Sequence, residues 1–460
     1  MEQTVVKKQR ISPYLLVILS FLMVIIVGSL LLFTPWAHRS GEWGNYIESL
    51  YIATSATCVT GFDSYNGGIG TELTIFGQIV MAVMIQIGGL GFITVFVFFV
   101  TLFRRRLSFR DRAFISAAVS ADTVAEVSKF VKKLFLVTML IEVIGAGLGV
   151  PAYLTVLDVP HAIWTSTFMS ISAFNNAGFD ILKGTSFVLG GGSEIVDNLP
   201  VWAYYYIQSY MIVLIVMGGV SYLVIFEVFS FKKRPNQWRA FTKMCLWMTF
   251  LIIASGTLLL VLTEGVLNNW AMNPFQALFQ TVSSRTAGFM NYDPYQLTVA
   301  GRIIVCVIMF IGGSPLGTAG GVKTTTIFII ILTIYCFIRG KKVSAFKRYY
   351  SQNMIVKAMA VFITSILIVM FGYLLISIFE NGNELATGEH VVYEVIAGFS
   401  TTGFTTELTA TLGASSKITM CVLMFIGRLG PMTMFQVFSS NMNVEANTHY
   451  RFVEEEVLIG

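Results

Sequence analysis

Three apolar runs, residues 14–33, 75–103 and 358–379, reach or exceed the ~20 residues a helix needs to cross the hydrocarbon core of a bilayer. A chain built on such runs has few ways to fold. In lipid every backbone N–H and C=O must find a partner within the protein, which leaves helices or a closed barrel. Barrel strands alternate apolar and polar residues in segments of about ten, and no segment of this sequence does so. Charged residues are 12% of the 460, against about 25% in soluble domains. The sequence therefore predicts an all-α membrane protein. The first run follows Lys7, Lys8 and Arg10. It is too long for a signal-peptide core and lacks a small-residue cleavage site, so it reads as a retained helix.

Of the 30 Lys and Arg, 23 fall in five segments, 1–13, 104–133, 231–243, 339–357 and 441–460. These alternate with pairs of apolar runs, so all five can share one side, and the positive-inside rule makes that side the cytoplasm. The net charge of +5 then reflects orientation and not nucleic-acid binding. The five cysteines (Cys58, Cys245, Cys306, Cys336, Cys421) are scattered and without disulfide or zinc spacing, and the four histidines are equally dispersed. An enzyme centre or cofactor site has nothing to build on, so neither is expected.

Between the basic segments one plan recurs. A polar glycine motif occurs four times: "TCVTGFD" (57–63), "FNNAGFD" (174–180), "SRTAGFM" (284–290) and "STTGFTT" (400–406). The glycines Gly61, Gly178, Gly288 and Gly403 are 117, 110 and 115 residues apart. A second landmark follows each: "QIGGLGF" (86–92), "VMGGVSY" (216–222), "FIGGSPLG" (310–317) and "FIGRLGP" (425–431). Gly-Gly pairs such as Gly88–Gly89 read as close helix contacts, common in membranes. The insertion "LGGGSEIVDNLP" (189–200) lengthens an outer loop of the second unit. The expectation is four consecutive M1–P-loop–M2 repeats, over 1–110, 111–235, 236–345 and 346–445, with a cytoplasmic tail at 446–460. That makes eight transmembrane helices and four re-entrant pore helices around one central pore, with both termini cytoplasmic.

The segments before the glycine motifs, roughly 45–56, 161–174, 272–283 and 389–399, are too short to span and carry Ser, Thr, Glu or Gln among apolar residues. They read as re-entrant helices. Irregular backbone at mid-membrane depth is tolerated only inside protein or around a wet cavity, so four such loops imply a pore. A dehydrated cation needs its water oxygens replaced, and rings of backbone carbonyls can do that. Turning those carbonyls inward needs dihedrals that glycine adopts cheaply. Half-helices ending at mid-membrane aim partial negative charge at the cavity. The expected ion-binding residues are Thr60 and Gly61; Asn175, Asn176, Ala177 and Gly178; Thr286, Ala287 and Gly288; and Thr401, Thr402 and Gly403. The amides of Asn175 and Asn176 are expected to brace their loop.

These four ordered motifs, with the glycine-rich break in the third unit, resemble the Trk/Ktr/HKT superfamily of potassium translocation subunits over essentially the whole chain, and the bacterial Ktr membrane subunit most of all. The resemblance implies potassium as the transported ion, held by filter carbonyls. Glycine in all four loops goes with potassium preference in that family, and serine in the first with sodium. It also implies a homodimer in the bacterial cytoplasmic membrane and a separate cytosolic nucleotide-binding ring as regulatory partner. The inner basic loops and the acidic tail "EEEVLIG" (454–460) are candidate docking surfaces, although anionic lipid would attract the loops equally. Sodium-coupled and sodium-independent modes both stay open.

The third M2 helix contains "GGSPLGTAGGVKTTT" (312–326), in which glycines and a proline preclude a regular helix. The matching point of the other M2 helices lacks such a run. The plainer alternative is a kink. The resemblance implies an intramembrane loop at 312–321 acting as a gate, comprising Gly312, Gly313, Ser314, Gly317, Thr318, Ala319, Gly320 and Gly321, with Lys323 and Arg428 beside it. Arg428 is aligned with Gly312. A charge at this depth costs ~2.5–3.5 kcal/mol or more and faces a cavity or a partner. Lys323 either joins the gate or snorkels to the inner surface. Glu142, an acid inside an M1 helix, is a default functional candidate, but M1 helices are peripheral in this plan, which favours a structural pairing. Arg285 and Asp180 are placed at the outer mouth, tuning it or forming loop salt bridges. The rival reading is an alternating-access cation symporter, which usually has two inverted halves.

Overall fold

The computed structural model describes residues 13–65, 67–91, 124–182, 198–229, 235–406, 408–431 and 434. The tail at 446–460, most of the insertion at 189–200 and much of the basic segments at 1–13, 104–133 and 231–243 lie outside the described residues. Helices carry the fold. The one paired sheet among the described residues is the hairpin of Ser344–Ala345 with Arg348–Tyr349.

Long apolar sequence gives long helices, because a helix satisfies its own backbone where water is absent. They are α1 (Pro13–Phe33), α4 (Val124–Tyr153), α6 (Val201–Gly219), α8 (Ala240–Leu260, continued by a π-turn at Val261–Val266) and α12 (Gln352–Phe379). Four helices among the described residues are long and apolar enough to cross a membrane. On α12, Ile363, Leu367, Met370, Phe371 and Leu374 are all more than half exposed. An apolar stripe of that extent marks a surface that lipid covers.

Four shorter helices, α2 (Tyr46–Cys58), α5 (Val159–Phe174), α9 (Pro274–Ser283) and α13 (Gly388–Ser400), have 13, 16, 10 and 13 residues. At 1.5 Å per residue all fall short of the ~30 Å core. Asn45 and Asn273 cap the first and third, the latter through a reciprocal capping box with Gln276. Each short helix precedes one glycine motif.

The helices that follow are α3 (Ile75–Leu90), α6, α10 (Val299–Ile311) and α14 (Ala414–Leu429). All four stop at the second landmark. Gly91 and Gly430 take φ of +79° and +82°, and α6 yields to α7 (Tyr222–Val228) through the extended pair Val220–Ser221. After the third, residues 312–323 separate the helix from α11 (Thr324–Ile338). The expectation that an interruption is special to the third helix is corrected: every landmark ends its helix, and the third break is longer than the one after α6.

Packing runs in one sense around the molecule. The helix after each motif packs on the next short helix: α3 on α5, α6 on α9, α10 on α13, and α14 back on α2. The first and last short-helix regions are thereby joined, and Lys417 of α14 meets Glu48 of α2 at 3.4 Å.

Candidate functional site

The four short helices end in related ways. Just past the first, second and fourth helices, by one, two and one residues, the backbone turns left-handed (Val59 φ +58°, Asn176 φ +57°, Thr401 φ +55°). The next N–H (Thr60, Ala177, Thr402) reaches back 2.8 Å to the carbonyl of Ser55, Ser172 or Ala397. That is the 6→1 bond of a Schellman cap. The third uses a tighter closure, Ala287 N–H to Ser283 O at 2.8 Å, with Thr286 at φ +69°. Glycine or asparagine is the usual left-handed residue; Val59, Thr286 and Thr401 are β-branched, and each costs about 1–2 kcal/mol there. Such strain persists only where surrounding structure over-determines it, and it collects at functional sites. Two residues on, Gly61, Gly178, Gly288 and Gly403 all have positive φ, between +71° and +102°. All the expected ion-binding residues flanking them are buried.

The glycines form a closed ring. A Cβ added to Gly61 would lie 2.7 Å from the Ala177 carbonyl oxygen, one on Gly178 2.8 Å from that of Ala287, and one on Gly288 2.5 Å from that of Thr402. One on Gly403 would press on the Thr60 carbonyl oxygen, which completes the circuit. Each glycine thus abuts the carbonyl of the residue before the next one. The four carbonyls and four glycines come from loops more than a hundred residues apart and enclose a single axis. The phenylalanine after each glycine (Phe62, Phe179, Phe289, Phe404) is buried behind its loop.

Polar side chains brace the loops from outside. The Asn175 amide donates to Glu142 Oε1 at 2.9 Å, Gln86 Oε1 at 3.1 Å and Ile171 O at 2.9 Å. With its nitrogen facing acceptors, the Asn176 amide donates to Ile215 O and Ala173 O, both at 3.1 Å. Glu142 is therefore the partner of the second loop, carried by α4. Ser55 Oγ accepts from Gly61 N–H at 3.2 Å, and Ser172 Oγ from Phe179 N–H at 3.0 Å. Past the first two glycines, Asp63 and Asp180 accept from Tyr65 N–H (2.9 Å) and Leu182 N–H (3.1 Å) in matching turns. Glu394, buried on α13, holds Thr406 N–H at 3.0 Å and Thr409 Oγ1 at 2.9 Å behind the fourth loop. Glu142→Leu is expected to cost about 1–3 kcal/mol, because it strips an acceptor from a buried amide. Glu142→Gln should cost less. Thermal melts of the purified protein, with Asn175→Leu as a second arm, would show it: coupled effects support the pairing, and additive ones oppose it.

Beneath the ring lies the third break. Ser314 N–H donates to Gly219 O (3.0 Å), Thr318 N–H to Gly218 O (3.1 Å) and Tyr222 N–H to Leu316 O (3.1 Å). The backbone that the end of α6 leaves unpaired is thus satisfied by residues 314–318. Thr318 Oγ1 reaches Phe174 O at 3.3 Å, and Gly320 is pressed against Ser400 and Thr401 of the fourth unit. Arg428 donates to Thr318 O, Gly88 O and Gly89 O. It therefore clamps the break to α3. The Lys323 ammonium donates to Ala319 O at 2.7 Å within the same break.

Two assignments are corrected. Gly88, Gly218 and Gly427 each pack on the carbonyl four residues before a ring glycine (Thr57, Phe174 and Phe399). Arg428 therefore matches Gly89, Gly219 and Gly313, one position along from the expected Gly312. Arg285 is at no outer mouth and, among the described residues, in no salt bridge. It is buried behind the third loop with Nη2 3.3 Å from Thr249 Oγ1 of α8. Asp180 is held by its own turn. The sequence reading also missed roles for Val59, Gly218 and Gly219. Of these only the repeated Gly-Gly landmark carried a signal.

The family described as TrkH, cation transport protein, matches residues 10–450. The chain is 31% identical to the potassium/sodium uptake protein NtpJ of Enterococcus hirae over 99% of this chain and 100% of that one. It is 32% identical to the Ktr system potassium uptake protein B of Bacillus subtilis over 97% of each. The crystal structure of the potassium transporter TrkH from Vibrio parahaemolyticus superposes with a TM-score of 0.69 at 17% identity, covering 95% of this chain and 86% of that one.

Proposed function

The chain belongs to the TrkH family of cation transport proteins, and on that premise we propose that it takes up potassium through a channel-like pore whose selectivity filter is the ring of four loops. The observation that carries this reading is the closed ring of Thr60, Ala177, Ala287 and Thr402 carbonyls, one beside each positive-φ glycine. Carbonyl oxygens are the groups that replace the hydration shell of a potassium ion. The short helices end at this ring, so their partial negative C-termini favour a cation there. Four M1–P-loop–M2 repeats, bounded near residues 110, 235 and 345, are the organisation we read into the one-sense packing. Residues 312–321 are then the gate, latched by Arg428 and by the broken end of α6. An alternating-access symporter built on two inverted halves is disfavoured by that same one-sense packing.

The relatives are uptake proteins and not enzymes. One is named for potassium and sodium, and another as part of a Ktr system. We extend this to a cytosolic nucleotide-binding partner docking on the inner basic segments and to a homodimer, with sodium dependence to be measured. The test is potassium and sodium flux into liposomes holding the purified chain. Saturable potassium flux well above sodium flux is expected. Equal flux of both ions would remove the filter, and obligatory one-to-one sodium movement would favour the symporter. Impermeant labelling of single cysteines in 339–357 should occur only from the cytoplasmic side.

A further inference from the structure

Away from the ring, α4 and α6 line an apolar groove of about 470 Å³ that also touches α7. Leu140, Ile144, Val213, Leu214 and Met217 line it, and Leu140, Ile144 and Val213 are more than half exposed. The groove is open along the helices and almost wholly apolar, with one exception at its end: Lys133. The Lys133 ammonium is 4.5 Å from the centroid of the Phe226 ring, which also lines the groove. Among the described residues no carboxylate bridges to it. An ammonium held over an aromatic ring and left without an anion can accept one.

We propose that this groove binds one acyl chain of an anionic phospholipid, with the headgroup phosphate on Lys133. From Lys133 to Leu148 the groove follows α4 for fifteen residues, roughly 22 Å at 1.5 Å per residue. That exceeds half of a ~30 Å hydrocarbon core, so a chain anchored at Lys133 lies in the groove through its own leaflet. The groove has almost no polar surface to pair with a peptide, and its exposed residues belong to a lipid-facing span. The charge at its end selects an anionic headgroup over a zwitterionic one. Assignment to the cytoplasmic leaflet rests on the topology proposed above; the site itself does not.

The test is retention of added lipid by the purified full-length chain, read by native mass spectrometry with phosphatidylglycerol and phosphatidylcholine of identical chains. One phosphatidylglycerol should be held more strongly than phosphatidylcholine. Lys133→Glu should lower phosphatidylglycerol retention about fivefold or more, the scale of one basic side chain at a membrane surface, and leave phosphatidylcholine unchanged. Val213→Trp should fill the groove and reduce retention of both. Equal retention of the two lipids by the unaltered chain, or unchanged phosphatidylglycerol retention in Lys133→Glu, overturns the proposal. A measurement on the unaltered chain guards against misfolded variants: a phosphatidylglycerol carrying a photoreactive acyl chain should label Leu140, Ile144 and Val213. Labelling spread evenly over all exposed helices overturns the site, as would cross-linking of Val213→Cys between two copies. Cysteine labelling of 339–357 from the outside would reassign the leaflet and the topology together while leaving the groove result standing.

Discussion

Gly403→Ser is expected to lose most of the chain's preference for potassium over sodium, and Gly147→Ser to keep it. Gly403 has φ +78°, and any Cβ there would press on the Thr60 carbonyl oxygen and stand 2.8 Å from Gly61 Cα. The left-handed backbone alone costs a non-glycine residue about 1–2 kcal/mol, and overpacking adds roughly 1–3 kcal/mol. The loop relieves that by moving the carbonyl on which the proposed filter depends. With about 1.4 kcal/mol for each tenfold, a displaced ring should reduce selectivity at least tenfold. Gly147 has nothing within 4 Å of an added Cβ. Uptake of the two ions into liposomes, normalised to protein, gives the comparison. Selectivity retained in Gly61→Ser, Gly178→Ser, Gly288→Ser and Gly403→Ser alike would mean that the ring is scaffolding.

Deleting residues 318–321 should raise flux per molecule about tenfold with potassium preference intact, and Arg428→Ala should act in the same direction. The deletion removes Thr318, which is tied to Gly218 O, to Phe174 O and to Arg428, and Gly320, which sits under the fourth loop. The deletion thus removes one backbone bond to the end of α6, one hydroxyl bond and one charged bond from Arg428, roughly 2.5–6 kcal/mol of tethering. Moving a two-state equilibrium from 1:99 to 99:1 takes ~5.5 kcal/mol, so these tethers are of the size that can hold a gate shut. Ser221 offers no such tether through its side chain, and Ser221→Ala should leave flux alone. A well-expressed deletion with ordinary or reduced flux per molecule would make the segment a kink.

The loops were legible because glycine was required at each, and the requirement recurred at near-constant spacing. The short helices were legible from length and from the polar residues among their apolar ones. Val59 was invisible: a β-branched residue in a left-handed cap runs against propensity, and only the ring around it imposes that conformation. The end of α6 was equally hidden, since "GGVSY" holds no proline and its missing helical bonds are supplied by residues 314–318, far along the chain. The register of Arg428 turned on which glycine rests on a carbonyl, a contact no spacing reveals. Arg285 adjoins Thr286 in sequence, which suggested the mouth. Its side chain leaves the helix end on the opposite side, toward Thr249.

The circuit of packing closes only when α14 meets α2, and Arg428 reaches a carbonyl 340 residues earlier in the chain. Synthesis runs from one end to the other, so three loops are made before the neighbour that completes them. During that interval the Thr60 carbonyl has no Gly403 beside it, and Gly88 and Gly89 have no guanidinium. A ribosome must pass residue 428 before any ion could meet a finished coordination shell. On the proposed reading, a chain stopped short of residue 428 holds no closed ring and no clamp on the break.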